Sequence, residues 1–250
     1  MNKLVILGTS TNVSDITHEN THMVLAGEDR MVLIDGPANP YTRLMHANLD
    51  VNRLTDIIVT HFHPDHAAGI PLMLMAYGLS GRKDLMRIYA NEHCMDFLLQ
   101  FLNAFSWEMW HDFPVELITI PDEEMVLLID SPEFKIFSSP VKHFVPAIGL
   151  RVEFPQSGKV FAYSGDTAPT PSLNALAQNA DLLIHEAAGA SVGHSSAEQA
   201  GVLAAQAKVD KLYLIHYPVG EFDYQSLIPE AGKFFDGPIA MAEDFDEFYF

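Results

Sequence analysis

The chain has 250 residues, 48% of them apolar, and carries 33 Asp and Glu against 14 Lys and Arg, a formal charge of −19. An acidic balance of that size repels polyanions at long range and argues against a nucleic-acid partner, which ordinarily meets a basic stripe. The single cysteine, Cys94, excludes an internal disulfide framework, and no run approaches the roughly 18 consecutive apolar residues of a membrane span.

Taken in chain order, short apolar runs predict strands at 3–7, 22–25 and 31–34, a helix near 41–49, a strand at 56–60 and a helix near 67–77. A strand at 87–90 leads into a helix near 92–105, and strands follow at 116–120, 125–129, 134–138, 148–154 and 159–163. A helix at 172–179, a strand at 181–184, a helix at 195–207, a strand at 211–215 and a helix near 224–234 complete the series. Gly, Pro, Asp or Ser bounds many of these strands. Arg82, Lys83 and Arg87 are read as a solvated face. The stretch Ser195-Ser196-Ala197-Glu198 reads as a capping box. Behind it Ala200, Leu203, Ala204 and Ala207 recur at helical spacing, the stripe of a helix packed on a sheet. The tail at 243–250, acids mixed with aromatics, reads as a surface strand or a frayed end. So many strands exceed one flat sheet, which predicts one α/β domain over residues 1–250, with two packed sheets and outer helices. The apolar start is too short for a signal peptide and lacks a small-residue cleavage site, so a cytoplasmic protein is expected.

The densest chemistry follows the strand at 56–60. His61-Phe62-His63-Pro64-Asp65-His66 puts three imidazoles and a carboxylate within six positions. Neutral imidazole suits zinc and its first-row neighbours, and a carboxylate adds a hard oxygen ligand. His61 and His63 alternate and point the same way in extended backbone, whereas Asp65 and His66 turn away after Pro64 and can address a second ion. Other candidate groups also stand just beyond strands: Asp166 in Ser164-Gly165-Asp166-Thr167, Glu186 after His185, and His216 before Tyr217. His143 lies in a polar break between two strands. Groups after several strands can converge on one sheet edge, and Asp166, preceded by a glycine, could come close enough to bridge two cations.

These motifs resemble the metallo-β-lactamase-fold hydrolases, and within them the ribonuclease Z-like branch. The matching segments are Thr60 to His66, Lys142 to Arg151 around His143, Ser164 to Thr167, and Ile215-His216-Tyr217, in that order over residues 3–241. The resemblance implies a four-layer αβ/βα sandwich and two divalent metal ions, zinc first, with manganese or iron as alternatives. It assigns His61, His63 and His143 to one ion and Asp65, His66 and His216 to the other, with Asp166 shared. It implies that Asp35 is a buried aspartate that fixes a ligand histidine. Leu183 to Ala187 and Gly193 to Ser196 resemble paired motifs of ribonuclease Z and related phosphodiesterases, which makes His194 a general acid oriented by Glu186. An imidazole at a helix start beside a carboxylate is suited to proton transfer on physical grounds as well. His18, His22, His46, His93 and His111 match no ligand motif and are expected to be structural or surface groups.

Two departures limit the function. Ribonuclease Z enzymes carry a long transfer-RNA-gripping arm between the third histidine and the bridging aspartate, whereas only residues 144–165 separate His143 from Asp166 here. The loop from Asp35 to Pro40 also replaces the usual glycine-rich sequence. The expected activity is hydrolysis of a small phosphodiester by a hydroxide generated at the ions, with Asp65 accepting a proton or orienting the nucleophile. The alternatives are a lactone, thioester or sulfate-ester hydrolase, a ribonuclease Z, or a non-catalytic metal- or nucleotide-binding protein. The expected partner is a small ester, with nucleic acid disfavoured but left open and no membrane, and the resemblance implies a homodimer. The aromatic segment from Met95 to Trp110 is left as pocket cap, dimer face or core.

Overall fold

The computed structural model describes residues 2–110 and 112–250; His111 lies outside them. In the first half β1 (Lys3–Gly8), β2 (His22–Ala26), β3 (Met31–Ile34), β4 (Asp56–Ile58), β5 (Met86–Asn91) and β6 (Val115–Ile120) alternate with α1 (Pro40–His46), α2 (Pro64–Ala67), α3 (Ile70–Leu79) and α4 (Glu92–Ala104). The second half holds β7 (Val126–Asp130), β8 (Lys135–Val141), β9 (Ala147–Phe154), β10 (Lys159–Tyr163), α5 (Pro171–Ala177), β11 (Leu182–Glu186), α6 (Ala197–Ala207), β12 (Leu212–Ile215), α7 (Leu227–Ala231), β13 (Ile239–Met241) and β14 (Glu247–Tyr249). Two mixed seven-stranded sheets result, ordered β14-β1-β2-β3-β4-β5-β6 and β13-β12-β11-β10-β9-β8-β7.

Strand alternation sorts the apolar residues into layers. Along β1, Leu4 and Ile6 join the core between the sheets, while Val5 and Leu7 join the core under the outer helices of the first sheet. Along β11, Leu182 and Ile184 face the opposite sheet and Leu183 faces the outer helices of the second. The expected four-layer αβ/βα sandwich is therefore the observed one. The hairpin from β9 to β10 fills residues 144–165 almost completely, leaving no room there for an arm. No helix among the described residues is long and apolar enough to cross a membrane.

Several local expectations are corrected. The helix expected near 67–77 is two helices, parted where the Gly69 N–H bonds the Gly36 carbonyl instead of the preceding turn. The helix expected near 224–234 is a 3-10 turn followed by the short α7. The capping box sits one residue later: the Ser196 hydroxyl accepts from the Gln199 N–H, and the Gln199 side chain accepts from the Ser196 N–H. The Ser195 hydroxyl instead donates to the Thr167 carbonyl at 2.6 Å. Arg82 is buried, not solvated, and its guanidinium caps the Leu54 and Asp84 carbonyls at 2.6 and 2.9 Å. β13 had no forecast because three residues after Gly237-Pro238 are too few to show a period. The tail forms β14, a surface strand antiparallel to β1. In the aromatic segment, α4 buries Met95, Leu98 and Leu102, while Phe97 and Phe105 stay exposed.

Candidate metal centre

All the candidate groups lie at one edge, where β3, β4, β8, β10, β11 and β12 end and hand the chain to loops. The two sheets are tied together there, since the Ile148 N–H bonds the Thr60 carbonyl and the His216 N–H bonds the Thr9 carbonyl. Asp35 and His216 take left-handed backbone, φ 63° and 53°. Single residues in that conformation turn a strand end sharply.

His61 Nε2 and His143 Nε2 approach His63 Nδ1 to 3.0 and 3.1 Å, so three ring nitrogens meet at one point. Asp166 Oδ2 stands 3.9 Å from His61 Nε2, 3.5 Å from His66 Nε2 and 3.1 Å from His216 Nε2, between the two groups of histidines. Asp65 Oδ2 is 3.7 Å from His66 Nε2. Groups compact enough to share one ion include His61, His63 and His143 in one set and Asp65, His66 and His216 in another. These are the groupings that the resemblance implies, and the structure brings all seven residues together.

The surrounding hydrogen bonds fix which nitrogen of each ring carries its proton. Thr60 gives its hydroxyl hydrogen to Asp35, so its oxygen accepts from His61 Nδ1–H at 3.2 Å and leaves the Nε2 lone pair free. His66 donates Nδ1–H to Asp35 at 2.8 Å, and His143 donates Nδ1–H to the Gly193 carbonyl at 2.7 Å. The Thr21 hydroxyl donates to the Ser10 carbonyl, so its oxygen accepts from His216 Nδ1–H at 3.1 Å. Four imidazoles thus aim Nε2 inward. Partners of this kind both orient metal-ligating histidines and raise their basicity.

The fit to cations rests on the donor set and on two orphaned atoms. His66 Nε2 and Asp166 Oδ1 are buried with no hydrogen-bond partner. Converging lone pairs and unsatisfied buried atoms are costly unless something positive sits among them. Imidazole nitrogen with carboxylate oxygen is a first-row divalent set. Without a cation, burial pulls the pKa of His61, His63 and His143 down. Burial opposes charge on His66 too, but Asp166 and Asp35 outweigh it and hold that imidazole well above its ordinary pKa. For Asp166, burial raises the carboxyl pKa, but His216 and His66 outweigh it and bring it well below the ordinary range.

His194 lies beside this cluster at the entry to α6. Its Nδ1 is 3.0 Å from Glu186 Oε1 and 4.0 Å from Asp166 Oδ2. Glu186 is buried at the end of β11, and the Thr167 and Ala188 N–H groups anchor its carboxylate at 2.8 and 3.0 Å. Burial works against the imidazolium, but the hydrogen bond and charge of Glu186 win, so the His194 pKa is raised. Gly193 precedes it at φ 83°, where a Cβ would stand 3.0 Å from Phe144 and 3.1 Å from His143 Nδ1. At Gly165, φ 59°, a Cβ would meet the Ile148 carbonyl oxygen at 2.5 Å, so glycine is what lets Asp166 reach the centre.

A cleft of about 800 Å³ opens over the cluster, walled by Thr11, Asn20, Ala38, Phe144 and Pro218 as well as the site residues. The segment from Met95 to Trp110 contributes nothing to it, so the cap reading fails and core packing with an exposed outer strip remains. His18 and His22 are buried and bonded to Asp15 and to the Asn20 carbonyl, and His46 is exposed. Thr21, Gly193 and Phe144 had not been singled out. Nothing in the sequence marks Thr21; Gly193 and Phe144 flank motif histidines, which is a signal of position only.

A family model described as a Beta-lactamase superfamily domain matches residues 27–217. The chain is 26% identical to a ribonuclease Z of Porphyromonas gingivalis over 293 positions, covering 95% of this chain and 96% of that relative. That span exceeds the 250 residues present here, so the relative carries residues this chain lacks. Among solved structures it is similar to the metallo-β-lactamase-fold protein YhfI of Bacillus subtilis, with a TM-score of 0.81 and 22% identity over 99% of this chain and 98% of that one. It is also similar to the short form of human tRNase Z, with a TM-score of 0.77 and 25% identity over 99% and 98%. With the matched family model and the His/Asp cluster at the shared sheet edge, the chain belongs to the metallo-β-lactamase superfamily and is a metal-dependent hydrolase of that fold.

Proposed function

We propose that this hydrolase cleaves a small phosphodiester with the help of two divalent cations, zinc first and manganese or iron as alternatives. The observation that carries the reading is the His194–Glu186 pair set beside the ligand cluster. A binding scaffold has no need of a poised proton donor, so the non-catalytic alternative loses support. Cations held by His61, His63 and His143, and by Asp65, His66 and His216 with Asp166 in common, would bring the pKa of water toward ~7 and offset charge on phosphoryl oxygens. Asp65, half-buried at the cleft, orients the attacking water or accepts its proton. Glu186 takes His194 Nδ1–H, leaving Nε2 to protonate the departing alkoxide, a step worth roughly 10²–10⁴-fold.

The cleft walls favour a singly charged substrate. No Lys or Arg lines the cleft among the described residues, so beyond the cations only the His194 imidazolium, already paired with Glu186, would counter a second negative charge. Phe144, 59% exposed and edge-on to His194 at 5.8 Å, offers an apolar face to the leaving group. The names of the relatives favour transfer-RNA processing as a second reading. The short segment 144–165, the charge of −19 and the absence of cationic lining residues weigh against it. A homodimer belongs to the same proposal, with exposed Phe97, Phe105 and Met109 as an apolar strip that a second copy could cover; sedimentation velocity tests it.

Zinc-loaded protein assayed side by side on bis(p-nitrophenyl) phosphate, an alkyl phosphodiester, a sulfate ester, a thioester and a lactone panel tests the reading. We expect diester turnover, and its absence from fully metallated protein overturns the proposal. His194→Ala should lower turnover of the alkyl diester by roughly 10²–10⁴-fold and scarcely affect the p-nitrophenyl diester, whose leaving group needs no proton. Cleavage of precursor transfer RNA at low salt, where electrostatic binding is strongest, would instead support the second reading.

A further inference from the structure

Behind the wall that carries His194 and Glu186, a separate cavity of about 420 Å³ lies between α5 and α6 on the outer face of the second sheet. That volume is within the usual range for small-molecule sites, roughly 300–1,000 Å³. Pro171, Leu173, Val202 and Leu203 supply its apolar walls, and no Asp, Glu, Lys or Arg lines it among the described residues. In a chain of charge −19 a wholly uncharged cavity discriminates against ions of either sign.

Its polar anchor is His185. Alternation along β11 turns Leu183 and His185 away from the intersheet core and toward the outer helices. The side chain is 1% exposed. Its Nδ1–H donates to the Glu186 carbonyl at 2.7 Å, which leaves Nε2 with the lone pair on a ring that lines the cavity. Burial keeps the imidazole neutral, with a pKa lowered to about 4, so Nε2 acts as an acceptor at physiological pH. An acceptor in the wall of a roomy cavity is satisfied by water or by a ligand that donates to it.

We propose that this cavity is a second ligand site, independent of the metal centre, that takes a small neutral molecule, largely apolar, with one hydroxyl or N–H group directed at His185 Nε2. Its floor residues His185 and Ser195 are chain neighbours of Glu186 and His194, so an occupant rests against the segments that position the proton donor.

Calorimetric titration of the full chain with 4-propylphenol and with its methyl ether, 4-propylanisole, tests the site. The two probes share shape and apolar surface and differ in the donor. The phenol should bind one to one and about tenfold more tightly than the ether, the effect of a single hydrogen bond to a buried acceptor. His185→Leu should bring the two within about twofold, and Leu203→Trp, which adds bulk to the cavity wall and leaves His185 in place, should abolish binding of both. No saturable phenol binding, equal affinity for phenol and ether, a preference that survives in His185→Leu, or binding that survives in Leu203→Trp overturns the proposal. Binding is read without turnover, so failure here leaves the catalytic reading standing.

Discussion

The two proposed ligand triads, three histidines in one and Asp65, His66 and His216 in the other, differ most in the state their histidines hold before a cation arrives. His61, His63 and His143 are all depressed in pKa by burial, three neutral rings with their lone pairs facing inward. His66 in the other triad is gripped between Asp35 and Asp166 and holds a proton where a ligand lone pair is needed. One triad is ready for a cation and the other must be vacated by a proton. Being a histidine therefore does not by itself make a ring ready for a cation; the acids around it decide.

The residue common to both triads gives the sharpest way to break that contrast. Asp166→Asn keeps the shape and removes the charge that faces His61, His66 and His216. We expect loss of more than one bound metal equivalent, read by elemental analysis, and a fall in turnover of more than ~10³-fold, since several kcal/mol of charge stabilisation depends on the ions. Retention of one full equivalent with the same pH dependence as wild type would show the triads to be independent.

The pH dependence of metal uptake is next. His66 has a raised pKa in the cation-free protein, so it is protonated at neutral pH and gives up that proton on binding. Affinity of its triad should therefore rise about tenfold per pH unit up to that raised pKa and fall as pH drops. The triad of His61, His63 and His143, with lowered pKa values, should change little above pH 7. Zinc titrations in buffers of different ionisation enthalpy count the protons released, and two equal, pH-independent events would refute the contrast.

Asp35→Asn tests where the difference comes from. Asn tolerates the left-handed backbone at this position, yet removes the anion that His66 and Thr60 share. The second ion should bind 10–100-fold more weakly at high pH, the usual penalty for losing such a partner. The pH slope should also flatten, because His66 loses one of the charges that hold its proton.

How much of this could be read from the sequence follows from where each group sits in the chain. His61, His63, Asp65 and His66 were visible because a single loop carries all four, next to a strand whose period was plain. His143, Asp166 and His216 are far apart along the chain, and strand ends alone made them candidates; their assignment to particular cations came from resemblance. Asp35 was also a motif position, but the reach of its carboxylate to both Thr60 and His66 depends on a φ of 63°, which no local pattern encodes. β13 and the break before α3 were illegible for the same reason, since both depend on hydrogen bonds to distant backbone, Leu212 to the Pro238 carbonyl and Gly69 to the Gly36 carbonyl.

Thr21 is the extreme case, 195 residues from the histidine it supports, and the effect of changing it should be the smallest. Its hydroxyl gives one hydrogen bond to the Ser10 carbonyl and receives one from His216 Nδ1–H. Thr21→Val keeps the volume and removes both, leaving a buried ring N–H without an acceptor, at a cost of about 1–3 kcal/mol. The second ion should bind about tenfold more weakly, at the low end for a supporting residue, and Thr21→Ser should restore it. Binding of the first ion should not change, because no residue of the His61, His63 and His143 triad bonds Thr21. The opposing force is the backbone at His216, already fixed at φ 53° between the Thr9 carbonyl and β12. If zinc titration finds Thr21→Val indistinguishable from wild type, that backbone alone aims the ring, and the two triads differ only through the acids on His66.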